Sequence, residues 1–374
     1  MITFQVIMDK INQYNIDEVS ITVLKENIQN DIKKEIDSDN VLIEKSINYQ
    51  INYIIDNIFE NKEKVKLLKK KVSELQKLKL PEQRSEEWYE LRKKVLTASS
   101  LASALGKDHF RTKYELMKDK LIEKPFTFNE ITEHGVKYEE IATQFYEELN
   151  IVKILEFGLI PHPQFPIFGA SPDGICSNDS SDKYIGRMLE IKCPPKRKFT
   201  KSVPEHYKYQ ILGQLECCDL EECDFFQVKI SEYETYNAYI NDFNENMICT
   251  GYTNNNFPKG CIITYKDNDN LKYLYPGLFK SNDELNLWIE TKKQWLQENN
   301  LHFEKVNWWK IERYECTLVK RDKEQWSSII EDIIKFYTEL DYYKNNLSEL
   351  NNKIPNKQNI IYINNVLSKS NCLL

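Results

Sequence analysis

The amino-acid sequence predicts an α/β core, a mixed sheet flanked by helices, with helical extensions at both ends. Three observations carry this reading. From about residue 151 to 230, short apolar runs alternate with Pro, Gly and Asp clusters, and a helical stretch separates the last two runs. Before residue 80 the chain is polar, with apolar positions recurring at three- and four-residue steps. A second long stripe of the same kind runs through 324–350.

In chain order, the stripe through Val41, Ile43, Ile47, Ile51, Ile54, Ile55, Ile58 and Phe59 continues at Val65, Leu68, Val72, Leu75 and Leu78. It predicts an amphipathic helix broken near Asn61, with the lysines between Lys64 and Lys71 on its solvated face. Pro81 punctuates the chain. A helix at EEWYELRKK, a short turn and a second helix at ASSLASALG, closed by Gly106, are expected over 86–106. Segment 138–149 is strongly periodic, with Ile141, Phe145 and Leu149 on one face. Candidate strands are IVKILEFGLI (151–160), FPIFGAS (165–171), MLEIKC (188–193) and FFQVKIS (225–231), with a helix at 206–218. Beyond 235 the pattern weakens. A helix is expected at 285–296 and another along Ile329, Ile333, Phe336, Leu340 and Leu347, while the Asn- and Ser-rich tail should fray. Trp308 and Trp309 read as packing a C-terminal helix or strand on the domain, with base stacking as the alternative. The resulting division is a helical extension over 1–80, a core over 81–235, and a mainly helical region over 236–374 that completes or decorates the core.

The chain has 374 residues, 41% of them hydrophobic, enough to bury a sizeable core. A net charge of −7 does not announce a nucleic-acid binder, but a whole-chain charge says little about one groove. Nine cysteines without regular spacing, and no apolar leader, suggest reduced thiols in a cytoplasmic setting. No apolar run approaches the roughly 18 residues of a membrane span. Cys193, Cys217, Cys218 and Cys223 form no CxxC pair, the five histidines lack HExxH spacing, and no Walker A lysine motif occurs. Zinc-hydrolase and ATP-driven chemistry are therefore not expected.

The chemistry concentrates in SPDG at 171–174 and LEIKCP at 189–194. Asp173 precedes Glu190 by 17 positions, and Lys192 follows Glu190 by two. Residues two apart on a strand share a face, so Glu190 and Lys192 should project together. Asp173, beside a Pro-Asp-Gly turn, reaches the same spot if its strand pairs with theirs. An isolated ExK is common by chance, but charges set in so apolar a run as MLEIKC need a reason. Two carboxylates are hard ligands for Mg²⁺, with the Ile191 carbonyl as a further candidate ligand, and an adjacent ammonium can polarise water and neutralise charge growing on a phosphate. Lys196, Arg197, Lys198 and Lys201 follow at once, a basic loop placed to track a nucleic-acid backbone or simply to be solvated.

SPDG…LEIKCP, with RKKVLTASSLASALG upstream and EHGVKYEEIA between, resembles the YqaJ-like viral recombinase family, which includes phage lambda exonuclease and belongs to the PD-(D/E)XK nuclease superfamily. The resemblance covers about 84–230. It implies a PD-(D/E)XK core and a metal-dependent deoxyribonuclease, an exonuclease on double-stranded DNA ends serving recombination or repair. It implies that Asp173 and Glu190 are metal ligands and Lys192 the catalytic lysine. Glu139 matches the helix acid near the metals, with the tandem Glu140 as its rival. Arg92 and Ser99 match residues that grip DNA phosphate, Ser171 is placed to do the same, and Gln210 matches a family glutamine whose helix face Tyr207 and Gln214 should share. Gly135 should let the Glu139 helix approach the sheet closely. One or two Mg²⁺ ions are the expected cofactor, Mn²⁺ the substitute. A single-strand annealing protein and a homo-oligomer are the partners the resemblance suggests, and the host cytoplasm or a viral factory the setting. A structure-selective or nicking endonuclease and a nuclease-derived DNA-binding scaffold are the alternatives.

Overall fold

The computed structural model describes residues 3–35, 41–122, 130–196, 198–199, 202–244, 250–268 and 270–354, the side chains of 130 and 131 excepted. The chain divides into two compact units, Met1–Ser73 and Glu74–Leu374.

The first unit is helical. It comprises α1 (Phe4–Ile11), α2 (Ile21–Glu35) and most of α3 (Val41–Gln76). Ile7 and Ile11, Leu24, Ile28 and Ile32, and Ile51, Ile54 and Ile55 interlock as its core, each set repeating at helical spacing. Helix α3 is continuous through Asn61, so the expected break is absent. Its apolar stripe passes from Phe59 to Val65 without a Gly or Pro, and one Asn costs too little to stop a helix of this length.

The second unit begins with α4 (Glu86–Lys94), capped by Ser85, whose side chain accepts from the Trp88 amide at 3.2 Å. Then follow β1 (Leu96–Thr97), a 3₁₀ turn over Ala98–Ser100, α5 (Leu101–Ala104), α6 (Lys113–Leu121) and α7 (Glu130–Asn150). The predicted strand at 151–160 is instead split into β2 (Ile154–Leu155) and β3 (Ile160–Pro161), which join different sheets. Strands β4 (Phe168–Ala170), β5 (Gly174–Cys176) and β6 (Met188–Lys192) precede α8 (Glu205–Cys218) and β7 (Glu222–Glu232). The remainder is α9 (Tyr236–Asn241), β8 (Lys259–Asp267), β9 (Asn270–Leu274), α10 (Asn282–Glu298), β10 (His302–Lys320), α11 (Lys323–Lys344) and α12 (Leu347–Lys353). The tail expected to fray lies outside the described residues from 355 onward.

The unit is a mixed α/β fold. Its seven-stranded sheet has the order β2-β5-β6-β7-β10-β8-β9, and a small sheet has the order β1-β4-β3. Within the large sheet only β6 and β7 run parallel, joined by the crossover helix α8. Three of the seven strands come from beyond residue 235, where the sequence pattern looked mainly helical. Trp309 is fully buried on β10, and Trp308 packs on Tyr239 at 4.4 Å between ring centres.

Strand β6 positions the candidate site. Leu189 and Ile191 pack into the core shared with Tyr138, Ile141 and Phe145 of α7. Their neighbours Glu190 and Lys192 lie on the other face, toward Gln210 and Tyr207 of α8.

Candidate active site

Asp173 stands immediately before β5. The β5–β6 ladder pairs Gly174 with Leu189, so β6 runs on past the end of its partner. The Ile191 amide lies beyond that ladder, and the Asp173 carboxylate accepts it at 2.6 Å. On the opposite edge, Gly174 permits the close approach of β2. A Cβ there would sit 2.2 Å from Ile154 Cγ2 on β2.

Glu190 is wholly buried and fully engaged. Its Oε1 accepts from the Gln210 amide at 2.7 Å and from the Lys192 ammonium, and its Oε2 accepts from the Gln214 amide at 2.7 Å. The ammonium also lies 5.0 Å from the centre of the Tyr207 ring. Residues 207, 210 and 214 repeat at three and four, so one face of α8 supplies the whole cradle. Burial opposes the Lys192 charge, but Glu190 and Asp173 outweigh it and hold the ammonium above its ordinary range. Asp173 is pushed well up by burial, then by Glu190 and Glu139. Glu139 is pushed up by burial as well, with Arg84 the strongest opposing influence.

A cavity of about 190 Å³ opens onto Asp173 and Glu139, while Glu190 and Lys192 do not line it. Glu139 and Asp173 line it together with Arg92, Ser99, Ser171, Gln210 and Gln214. Glu140 instead accepts from Gln144 along its own helix, at 2.7 Å. Arg92 lies over the Trp88 ring at 4.3 Å and donates to Ser99 Oγ at 3.1 Å. Ser171 Oγ accepts from the Trp88 indole at 3.0 Å, which leaves its own hydrogen to donate. Of the residues expected from the sequence, Asp173, Glu139, Gln210, Arg92, Ser99 and Ser171 thus share one opening, and Glu190 and Lys192 join them through the bonds to Gln210 and Gln214. Lys196 and Lys198 lie on an exposed loop after β6, and Arg197 and Lys201 fall outside the described residues. Gly135 does not serve close packing, since a Cβ there would meet nothing within 4 Å.

Two residues escaped the sequence reading. Gln83 donates to the carbonyls of Phe157 and Pro172, at 2.8 and 3.2 Å, and so anchors the turn that presents Asp173. Arg84 reaches Glu139, with one nitrogen 3.0 Å from each carboxylate oxygen. Neither has a local motif to betray it, because their partners lie 55 to 89 residues away.

The set is chemically suited to a hard divalent cation: oxygen donors only, with the Asp173 and Glu139 carboxylates driven toward the neutral form by burial first and then by neighbouring acids, Glu190 among them in both cases. As placed, no three His, Cys, Asp or Glu residues among those described converge tightly enough to hold one. Their oxygens are occupied instead by Arg84, Lys192, the Ile191 amide and the two glutamines.

Residues 87–221, which span this constellation, match the model of the YqaJ-like viral recombinase domain. The chain carries a YqaJ-like viral recombinase domain. Pro172-Asp173 and Glu190-Ile191-Lys192 are the two PD…ExK segments within this recombinase domain. Among curated proteins, the chain is 32% identical over 303 residues to an uncharacterized protein of Acanthamoeba polyphaga mimivirus. That alignment takes in 73% of this chain and 55% of the relative, so the chain spans about half of the relative's length. Among solved structures it is similar to an alkaline exonuclease of Laribacter hongkongensis (20% identity, TM-score 0.41), over 72% of this chain and 100% of that one. It is also similar to a phage-related exonuclease of Haemophilus somnus (15% identity, TM-score 0.35), over 68% of this chain and 96% of that one. No described helix is long and apolar enough to cross a membrane.

Proposed function

We propose that the recombinase-like domain is a divalent-metal-dependent deoxyribonuclease that digests double-stranded DNA from its ends, supplying single strands for recombination or repair. The observation that carries this reading is the convergence of Asp173, Glu190 and Lys192 at the frayed end of one strand pair, beside a cavity edged by Arg92 and Ser99. Asp173, Glu190, the Ile191 carbonyl and Glu139 would hold Mg²⁺, with Mn²⁺ as the substitute. When bound, the ion would acidify a water and stabilise charge on the phosphate.

The protein's own groups do the rest. Lys192, held protonated by two carboxylates, offers hydrogens to the attacking water and to a phosphate oxygen. Gln210 and Gln214 fix the Glu190 carboxylate, and Glu190 in turn holds the Lys192 ammonium in place. Arg92 is braced on Trp88, so its guanidinium can take phosphate without losing much side-chain freedom, and the Ser99 and Ser171 hydroxyls lie beside it. Lys196, Arg197 and Lys198 would follow the backbone leading away from the site. The viral relative supports a viral source. The host cytoplasm or a viral factory as the setting, an annealing protein as partner and a homo-oligomeric state are proposed on the family resemblance alone.

The test is digestion of linear and covalently closed duplex by purified protein with Mg²⁺. Linear duplex should be degraded and closed duplex spared. Lys192→Ala should lower the rate by about a hundredfold to a thousandfold, the usual cost of one transition-state donor, with an unchanged circular dichroism spectrum. Full activity in that variant would reject the assignment. Cleavage of closed duplex would move the reading to a nicking endonuclease, and metal binding without any cleavage would move it to a DNA-binding scaffold.

A further inference from the structure

The contact between Arg84 and Glu139 has the geometry of a placeholder. A single guanidinium nitrogen, Nη2, stands 3.0 Å from Oε1 and 3.0 Å from Oε2. It therefore lies on the bisector of the carboxylate, where a chelated cation would sit, instead of making the parallel fork that Arg usually makes. Both side chains line the cavity that Asp173 also lines. The pair is only partly shielded, the side chains being 43% and 32% exposed, so it can open.

The backbone aims Arg84 there at a cost. Its φ is +69°, a left-handed conformation that a residue with a Cβ seldom adopts. Its neighbours hold it in that state. Gln83 is fixed to the Phe157 and Pro172 carbonyls, and Ser85 is committed as the cap of α4. Strain maintained by flanking anchors, at the rim of a cavity lined with acids, indicates a role for the side chain so displayed.

We propose that Arg84 is a resident counter-cation for Glu139, displaced when a divalent ion binds and then free to engage DNA phosphate. The inference rests on the metal-dependent reading above. Arg84 neutralises Glu139 in the ion-free protein, competes with the ion for the same lone pairs, and so lowers ion affinity until substrate phosphate draws the guanidinium away. Ion and DNA then bind cooperatively, because each removes an obstacle to the other.

The experiment is Mg²⁺ titration by calorimetry on the whole chain, without DNA, comparing wild type with Arg84→Gly, Arg84→Lys and Glu139→Gln. Glycine suits the left-handed backbone, so Arg84→Gly removes the guanidinium without threatening the fold, which thermal melting checks. Arg84→Gly should bind Mg²⁺ roughly threefold to fivefold more tightly than wild type, the worth of one partly exposed ion pair. Arg84→Lys should stay near wild type, and Glu139→Gln should weaken binding. In separate binding assays without metal, Arg84→Gly should bind duplex more weakly, with a salt dependence shallower by about one ion. Equal or weaker Mg²⁺ binding by Arg84→Gly overturns the proposal. If Glu139→Gln still loses affinity in that case, the metal site stands and only the role of Arg84 falls. No Mg²⁺ binding by any variant overturns both.

Discussion

Glu190 illustrates how a charge is made tolerable inside a sheet. It has no exposure, yet three donors from two directions satisfy it. Gln214 is itself almost wholly buried, so its removal would leave Oε2 without protein or solvent to replace the lost amide. Gln214→Leu should therefore destabilise the protein by about 1–3 kcal/mol, the cost of a buried acceptor left bare. Urea denaturation provides the measure. Combining it with Glu190→Gln should cost less than the two single changes added together, since a neutral amide needs fewer donors. Full additivity would show that the amide and the carboxylate do not depend on each other.

Helix α8 is the element on which this arrangement hangs. It crosses between the two parallel strands and presents one face to Glu190, while its other contacts fix its depth against β4 and the Ala98–Ala104 segment. Gly213 sets that depth. A Cβ there would stand 2.6 Å from Phe168 Cζ and 3.2 Å from Ala98 Cβ. The Phe168 ring is fully buried and packs on Trp326, so it has nowhere to retreat. Gly213→Ala should cost about 1–3 kcal/mol of stability through overpacking, read as a lowered melting temperature, despite the better helix propensity of alanine. It should also reduce the proposed nuclease activity by shifting Gln210 and Gln214 away from β6. At the C-terminal end of the same helix, Arg321 holds Glu216, and it also bonds Asp219 and Glu221, tying the end of α8 to the short link between β10 and α11.

Across the second unit, the Glu232 carboxylate at the end of β7 gathers the elements. Lys137 and Tyr138 of α7 donate to Oε1 at 2.6 and 2.7 Å, and Asn307 of β10 donates to Oε2 at 2.6 Å. Asn307 in turn accepts from Thr264 of β8. The helix that carries Glu139 is thereby fixed to three strands. Burial disfavours the Glu232 charge, but the bonds from Lys137 and Tyr138 outweigh it and lower its pKa to about 2. A carboxylate depressed in the folded state contributes stability above its unfolded value. That contribution is lost as pH falls from about 4.5 toward 2. With its side chain 40% exposed, the effect after solvent screening is about 1 kcal/mol. Glu232→Gln should remove that part of the acid sensitivity, so that the stabilities of the two proteins converge as pH approaches 2. Parallel pH–stability curves would exclude the network as its source.

Local patterning settled a good deal. The stripe over 41–76 is a helix because its apolar residues recur at its period, and Glu190 and Lys192 share a face because strand side chains alternate. The PDG and ExK segments, being short and contiguous, put the acids and the lysine of the candidate site in plain view. Strand β10 was less legible. Its register shifts between Phe303 and Lys305 and again between Ile311 and Arg313, and each shift breaks the two-residue alternation that marks a strand. The division of 151–160 between two sheets, the anchoring by Gln83 and the pairing of Arg84 with Glu139 were invisible for a different reason. Each is a contact between segments far apart in the chain, and periodicity reports only on neighbours. Local order along the chain thus chose most of the elements and the side chains of the candidate site. Long-range packing chose which acids meet, how deeply they are buried, and which cation waits beside them.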